Sequence, residues 1–213
     1  EDRAELIARR TDLRHRQLSR LRIFSPRGTG PEQEMRAAQE RARATLNAVA
    51  KIGEHPNILK VWSVPNENSY IVEGSDWSET GTLRDVIADR GPLDTDAATG
   101  IATGLLRGLD AVHAQCVIHR ALSPENVLMV GDTAKLTNFD LSYQLEEDRA
   151  TVIPDASKLT RSPYIAPEVY RCGPLSESAD LFSVGVILYE MLLGERPFDC
   201  STDLERTDGR LGD

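Results

Sequence analysis

The chain has 213 residues, with 34 acidic against 25 basic side chains and a formal net charge of −9 at pH 7. That excess of carboxylates argues against nucleic acid as a partner, because phosphate binding draws on clustered Lys and Arg. An apolar share of 40% excludes disorder for most of the chain, and the length allows one large domain or two small lobes with a real core.

Residues 5–10 and 20–24 read as short strands, since Leu21 and Ile23 alternate with Arg20, Arg22 and Phe24. A turn through Ser25, Pro26, Gly28, Gly30 and Pro31 follows. From Glu32 to Ile52, Met35, Ala38, Ala42, Leu46, Val49 and Ile52 recur every three or four residues opposite a charged face, which predicts an amphipathic helix. Two strands, Ile58 to Val64 and Ser69 to Glu73, are joined by a polar turn from Pro65 to Asn68. The composition shift near Gly81 marks a lobe boundary. A helix starting at Asp94 or Thr95 runs to about Ala114, with Ala98, Ile101, Leu105, Leu109 and Val112 on one face. Gly100, Gly104 and Gly108 recur every fourth residue on it and predict close approach of a neighbouring helix. Val127 to Val130 and Ala134 to Thr137 read as a short strand pair. From Ala179 to Leu193 apolar residues occur almost all round, which predicts a helix central to its lobe. The segment from Asp199 to Asp213 is a polar tail without periodicity.

Three cysteines, Cys116, Cys172 and Cys200, form no CxxC pair and fit a reducing compartment. The longest apolar run, Val184 to Tyr189, is far below the roughly 18 residues of a membrane span. The chain reads as cytoplasmic, with no membrane partner, and its start at Glu1 reads as that of an excised domain. His15, His55 and His113 have no partners at ligand spacing and read as surface or turn residues.

Motifs in fixed order carry the functional signal. His119, Arg120, Ala121, Leu122, Ser123, Pro124, Glu125 and Asn126 match the pattern H-R-D-L-x-x-x-N except at its aspartate. Asn138, Phe139 and Asp140 stand where D-F-G would follow, Ala166, Pro167 and Glu168 form A-P-E, and His55, Pro56, Asn57 and Ile58 link the first helix to the next strand. Together these segments resemble the eukaryotic-type protein kinase superfamily, of a bacterial Ser/Thr-like kind. The resemblance implies an α+β bilobal fold truncated at both ends: a partial small lobe over residues 1–81, a partial, mainly helical large lobe over 82–198, and the tail 199–213.

The departures fall on groups that phosphoryl transfer needs. The family's catalytic-loop aspartate accepts the substrate hydroxyl proton, and Ala121 has no side-chain acceptor. General-base help is worth roughly 10²- to 10⁴-fold. Asn138 lacks the charge with which the D-F-G aspartate binds magnesium, and Ser123 replaces a catalytic-loop lysine. No catalytic residue is therefore intact at Ala121, Ser123 or Asn138. Asn126 and Asp140 remain as candidate metal ligands, Asn126 having the alternative of a loop hydrogen bond. By alignment, Arg22 takes the place of the nucleotide-pairing lysine and Arg20 that of the small residue beside adenine. The lysine's glutamate partner falls near Thr45, and no G-x-G-x-x-G precedes Arg20. Arg20, Arg22, Asp76, Trp77 and Leu128 are the candidate nucleotide-site residues.

Other positions match the family's scaffold. Val49, Val61, His119, Phe139 and Asp180 resemble the spine that joins the lobes, and Leu83, Leu128, Ile187 and Met191 resemble the second spine. The candidate regulatory residues are Arg120, Thr151, Ser157, Thr160, Ser162 and Glu168. Arg120 would grip a phosphorylated activation segment or anchor its own loop through backbone carbonyls. The resemblance thus implies a pseudokinase that regulates or scaffolds another protein or another domain of a longer chain, with no cofactor expected. Two alternatives stay open: a divergent Ser/Thr kinase that uses ATP and Mg2+, and a nucleotide or small-ligand sensor without turnover.

Overall fold

A computed structural model of the chain describes residues 3–9, 18–24, 32–64, 71–76, 81–139, 143–144, 162–170 and 175–198. Four antiparallel strands open the fold: β1 (Arg3–Arg9), β2 (Leu18–Phe24), β3 (Val61–Val64) and β4 (Ile71–Asp76), in the order β1-β2-β4-β3. Between β2 and β3 the chain forms α1 (Glu32–Lys51). Its three-to-four residue spacing buries Leu46 and Val49, and α1 packs along β3. Strand β3 starts three residues later than Ile58 because the backbone of that stretch serves a second purpose. Leu59 N donates to Leu136 O at 2.8 Å and Leu136 N donates to Asn57 O at 2.8 Å.

The next helix, α2 (Leu83–Arg90), was not among the elements predicted from periodicity. It is short, but its start is well specified: Thr82 and Asp85 form a reciprocal capping box, with Thr82 N donating to Asp85 Oδ2 at 2.6 Å. Helix α3 (Thr95–His113) takes Asp94 as its N-cap, whose Oδ1 accepts from Ala97 N at 2.9 Å. Then come β5 (Val117–Ile118), a 3-10 turn at Pro124–Asn126, and the hairpin of β6 (Val127–Val130) and β7 (Thr133–Leu136). Strand β8 (Tyr143–Gln144) pairs with β5. A single turn, α4 (Pro167–Tyr170), precedes α5 (Ser178–Leu193).

Two expectations about the helices need correction. The glycine stripe of α3 meets no helix. A Cβ at Gly104 would stand 2.7 Å from Asn57 Nδ2, and one at Gly108 would stand 2.8 Å from Asn57 O and 2.9 Å from Leu136 Cδ1. The close neighbours are the link after α1 and strand β7, so the glycines let the link lie flat on α3. Helix α5, in turn, is central on one side only. Ala179, Asp180, Ser183, Val184, Val186, Ile187, Glu190 and Met191 are buried, while Leu181 and Leu193 are about half exposed (49% and 54%). Among the described residues no helix is long and apolar enough to cross a membrane. The polar segment from Asp199 lies outside the described residues.

Candidate functional site

The loop between β5 and β6 is shaped by a carboxylate that the chain makes 60 residues later. Asp180, at the start of α5 and fully buried, accepts from His119 N through Oδ2 at 2.8 Å and from Arg120 N through Oδ1 at 2.8 Å. The same Oδ2 accepts from His113 Nε2 at 2.8 Å. His113 is therefore a partnered, largely buried residue, contrary to the surface position expected from sequence. Arg120 has φ = 65°, a left-handed conformation that costs an ordinary residue roughly 1–2 kcal/mol. The two bonds from Asp180 hold the peptide in that state.

His119 closes the loop from beneath. Its Nε2 donates to Thr137 O at 2.9 Å, and its ring lies 5.0 Å from that of Phe139, tilted by 54°. Val49, Val61, His119, Phe139 and Asp180 are all buried, and Phe139 shares one apolar cluster with Val49 and Val61. Leu83, Ile187 and Met191 belong to the same cluster. Leu128 is buried in β6 and bridges to Thr82.

At the mouth of the loop stand the residues where metal and proton chemistry would be sought. Asn126 Nδ2 donates to Ala121 O at 2.6 Å, and Asn138 Nδ2 donates to Asn126 Oδ1 at 2.5 Å. Asn138 has φ = 65°, a region asparagine tolerates better than most residues. Ala121 contributes its backbone carbonyl and a methyl group. A magnesium ion seeks several hard oxygen ligands, with at least one carboxylate. Here the amide oxygen of Asn126 already accepts a hydrogen bond from Asn138 Nδ2. Among the described residues, Asn126 and Asn138 offer two neutral amides and no carboxylate to such an ion.

A second polar cluster was not anticipated from sequence. Arg84 on α2 donates through Nε to Glu125 Oε1 at 2.7 Å and through Nη1 to Glu190 Oε1 at 2.8 Å, and its Nη2 donates to the Tyr164 hydroxyl. Tyr164 in turn donates to Glu190 Oε2 at 2.5 Å, and Ser183 Oγ donates to Tyr164 O at 2.7 Å. Burial works against the Arg84 charge, but bonds to Glu190 and Glu125 raise its pKa further above its ordinary value. Burial together with Glu190 pushes the Tyr164 phenol up. Burial pushes the Glu125 carboxyl up most strongly of any single cause, yet the hydrogen bonds from Arg84, Ser123 and its own backbone amide, with the Arg84 charge, together outweigh it and leave the carboxyl below the usual range. The cluster ties α2, the 119–126 loop, the segment before α4 and α5 together. Capping chemistry in Thr82 to Asp85 signalled α2, but nothing local signals a partner 106 residues away.

The other candidate residues are placed as follows. Arg20 and Arg22 pair through β2 with Ser75 and Glu73, and Asp76 ends β4 opposite Ser19. Ser123 precedes the 3-10 turn. Ser162 Oγ accepts from Tyr164 N at 3.4 Å, and Glu168 lies in α4. Thr45 is buried in α1. Trp77, Asp140, Thr151, Ser157 and Thr160, with His15, Cys172 and Cys200, lie outside the described residues.

An antiparallel sheet with one long helix, set over a helical body whose loop is pinned by a buried aspartate, is an α+β architecture of the kinase class. A family model for the protein kinase domain matches residues 27–211, and the chain belongs to that family. Its relatives include the serine/threonine-protein kinase PknL of Mycobacterium tuberculosis, 30% identical over 90% of this chain and 46% of that protein. The probable serine/threonine-protein kinase PknB of Lactococcus lactis is 34% identical over 68% of this chain and 23% of that protein. The 3-phosphoinositide-dependent protein kinase 1 of Arabidopsis thaliana is 30% identical over 68% of this chain and 31% of that protein. The chain thus spans less than half the length of these relatives, which come from bacteria and eukaryotes alike.

Proposed function

We propose that this protein kinase domain transfers no phosphate and serves as a regulatory or scaffolding module, a cytoplasmic pseudokinase acting on a partner protein or on other domains of a longer parent chain. One observation carries the reading: the Asn138 amide is bonded to Asn126 at 2.5 Å, beside an Ala121 that offers only its carbonyl. A base for the substrate hydroxyl and a carboxylate for magnesium are both replaced by neutral groups. What remains in good order is the packing that binds the lobes, which apolar burial at about 25 cal/mol per Å² favours whether or not chemistry is retained.

The test is transfer of radiolabelled phosphate from Mg-ATP to the domain itself and to a generic protein substrate, paired with thermal shift in Mg-ATP. The expected result is background labelling and an unchanged melting temperature. Labelling that tracks the purified domain and disappears with Asn126→Ala would overturn the reading. An upward shift without labelling would replace it with a nucleotide sensor, since a ligand at about 100 times its Kd adds about 2.7 kcal/mol.

A further inference from the structure

We infer that the Asn126–Asn138 amide pair stands in for a divalent cation as the bridge between the 119–126 loop and the end of β7, leaving the domain's order independent of metal. The inference rests on the inactive reading above. Orientation of the two amides follows from one fixed acceptor. A backbone carbonyl cannot donate, so the atom of Asn126 that faces Ala121 O at 2.6 Å is Nδ2, and Oδ1 must face Asn138. The atom of Asn138 that meets it at 2.5 Å must then be its own Nδ2. The result is a relay of neutral hydrogen bonds from Ala121 O through Asn126 to Asn138, alongside Thr137 N donating to Asn126 O at 3.2 Å.

Aspartate at 138 could not complete this relay. It would set a carboxylate oxygen against Asn126 Oδ1, acceptor against acceptor, and Asn126 could turn its amide only by giving up Ala121 O. A cation between the two oxygens resolves that conflict, and so does a donor on residue 138. This chain has the donor. A neutral pair also avoids the cost of holding a charge in a partly buried cleft.

The experiment is thermal unfolding of the whole chain without nucleotide, in EDTA and in millimolar MgCl2 or MnCl2, for wild type, Asn138→Asp and Asn138→Ala. Free manganese is followed in parallel by electron paramagnetic resonance. Wild type is expected to melt at one temperature in all three buffers and to leave the manganese signal undiminished. Asn138→Asp should melt about 3–6 °C lower in EDTA, regain most of that in metal, and deplete free manganese. Asn138→Ala should lose a similar amount with no metal response. If Asn138→Asp folds only when prepared with manganese and unfolds on chelation, the inference stands. Metal-dependent melting of wild type, or an Asn138→Asp that neither loses stability in EDTA nor binds manganese, overturns it. With no nucleotide present, such a failure concerns the amide pair alone, whereas phosphate transfer in the labelling assay sinks the inactive reading.

Discussion

Arg84 and Glu190 are 106 residues apart in sequence, yet Nη1 of one lies 2.8 Å from Oε1 of the other. Glu190 is 4% exposed and Arg84 is its link to the surface, where Glu125 shares the guanidinium. Buried ion pairs stabilise less than their Coulomb energy suggests, because both charges lose water, but removing one partner strands the other. Arg84→Met should therefore destabilise the domain by about 3 kcal/mol in urea unfolding, and Arg84→Met with Glu190→Leu should recover part of the loss. Equal losses in the single and double variants would mean that Glu190 does not depend on Arg84.

Acid should weaken the same cluster. Glu125 has its pKa lowered in the fold, burial being outweighed by hydrogen bonds from Arg84, Ser123 and its own backbone together with the Arg84 charge. A carboxyl with a depressed folded pKa contributes stability that is fully present above its unfolded value, about 4.3, and is lost as pH falls through the folded value. Wild type should thus be more stable than Glu125→Gln at pH 7, and the difference should shrink as pH falls below about 4. A gap that is constant from neutral to acid pH would assign the effect of Glu125→Gln to packing instead of charge.

Two glycines on one helix should respond in opposite directions to the same substitution. Alanine is favoured over glycine in a helix interior by about 1 kcal/mol, and nothing lies within 4 Å of a Cβ at Gly100. Gly100→Ala should raise the melting temperature by a few degrees. At Gly108 the new methyl would press on Asn57 O and Leu136 Cδ1, and overpacking of this kind costs about 1–3 kcal/mol. A stabilised Gly108→Ala in thermal melts would contradict the close contact between α3 and the link after α1.

Restoring aspartate at both Ala121 and Asn138 should leave phosphate transfer at background while Arg20 remains. On the expectation from sequence, Arg20 takes the place of the small residue beside adenine, where its guanidinium would crowd the nucleotide pocket. Labelling by the double variant, measured beside an Ala121→Asp single variant, would show that the pocket accepts ATP as it stands.

Much of the architecture was legible because it rests on periodicity and fixed motifs. Helix α1 ends within one residue of the predicted limit, and Asp94 caps α3 as its type suggests. Helix α2 was missed because eight residues give too few turns for a pattern, although Thr82 and Asp85 spelled its cap. His113 was misread since its partner, Asp180, is brought near by the return of α5 and by nothing in the local sequence. The Asn126 and Asn138 positions could be found from the motifs; their bond to each other could not, because it depends on the left-handed turn at Asn138. Of the glycine stripe, Gly104 and Gly108 do mark close packing, against the link after α1 and β7 instead of a helix, while Gly100 has nothing within 4 Å.

The buried Asp180 has one more consequence, for a chain still leaving the ribosome. The backbone amides of His119 and Arg120 emerge well before the carboxylate that receives them, so the loop cannot take its final shape until α5 has been translated. A nascent chain stalled ahead of residue 180 would carry every letter of the loop and none of its anchor.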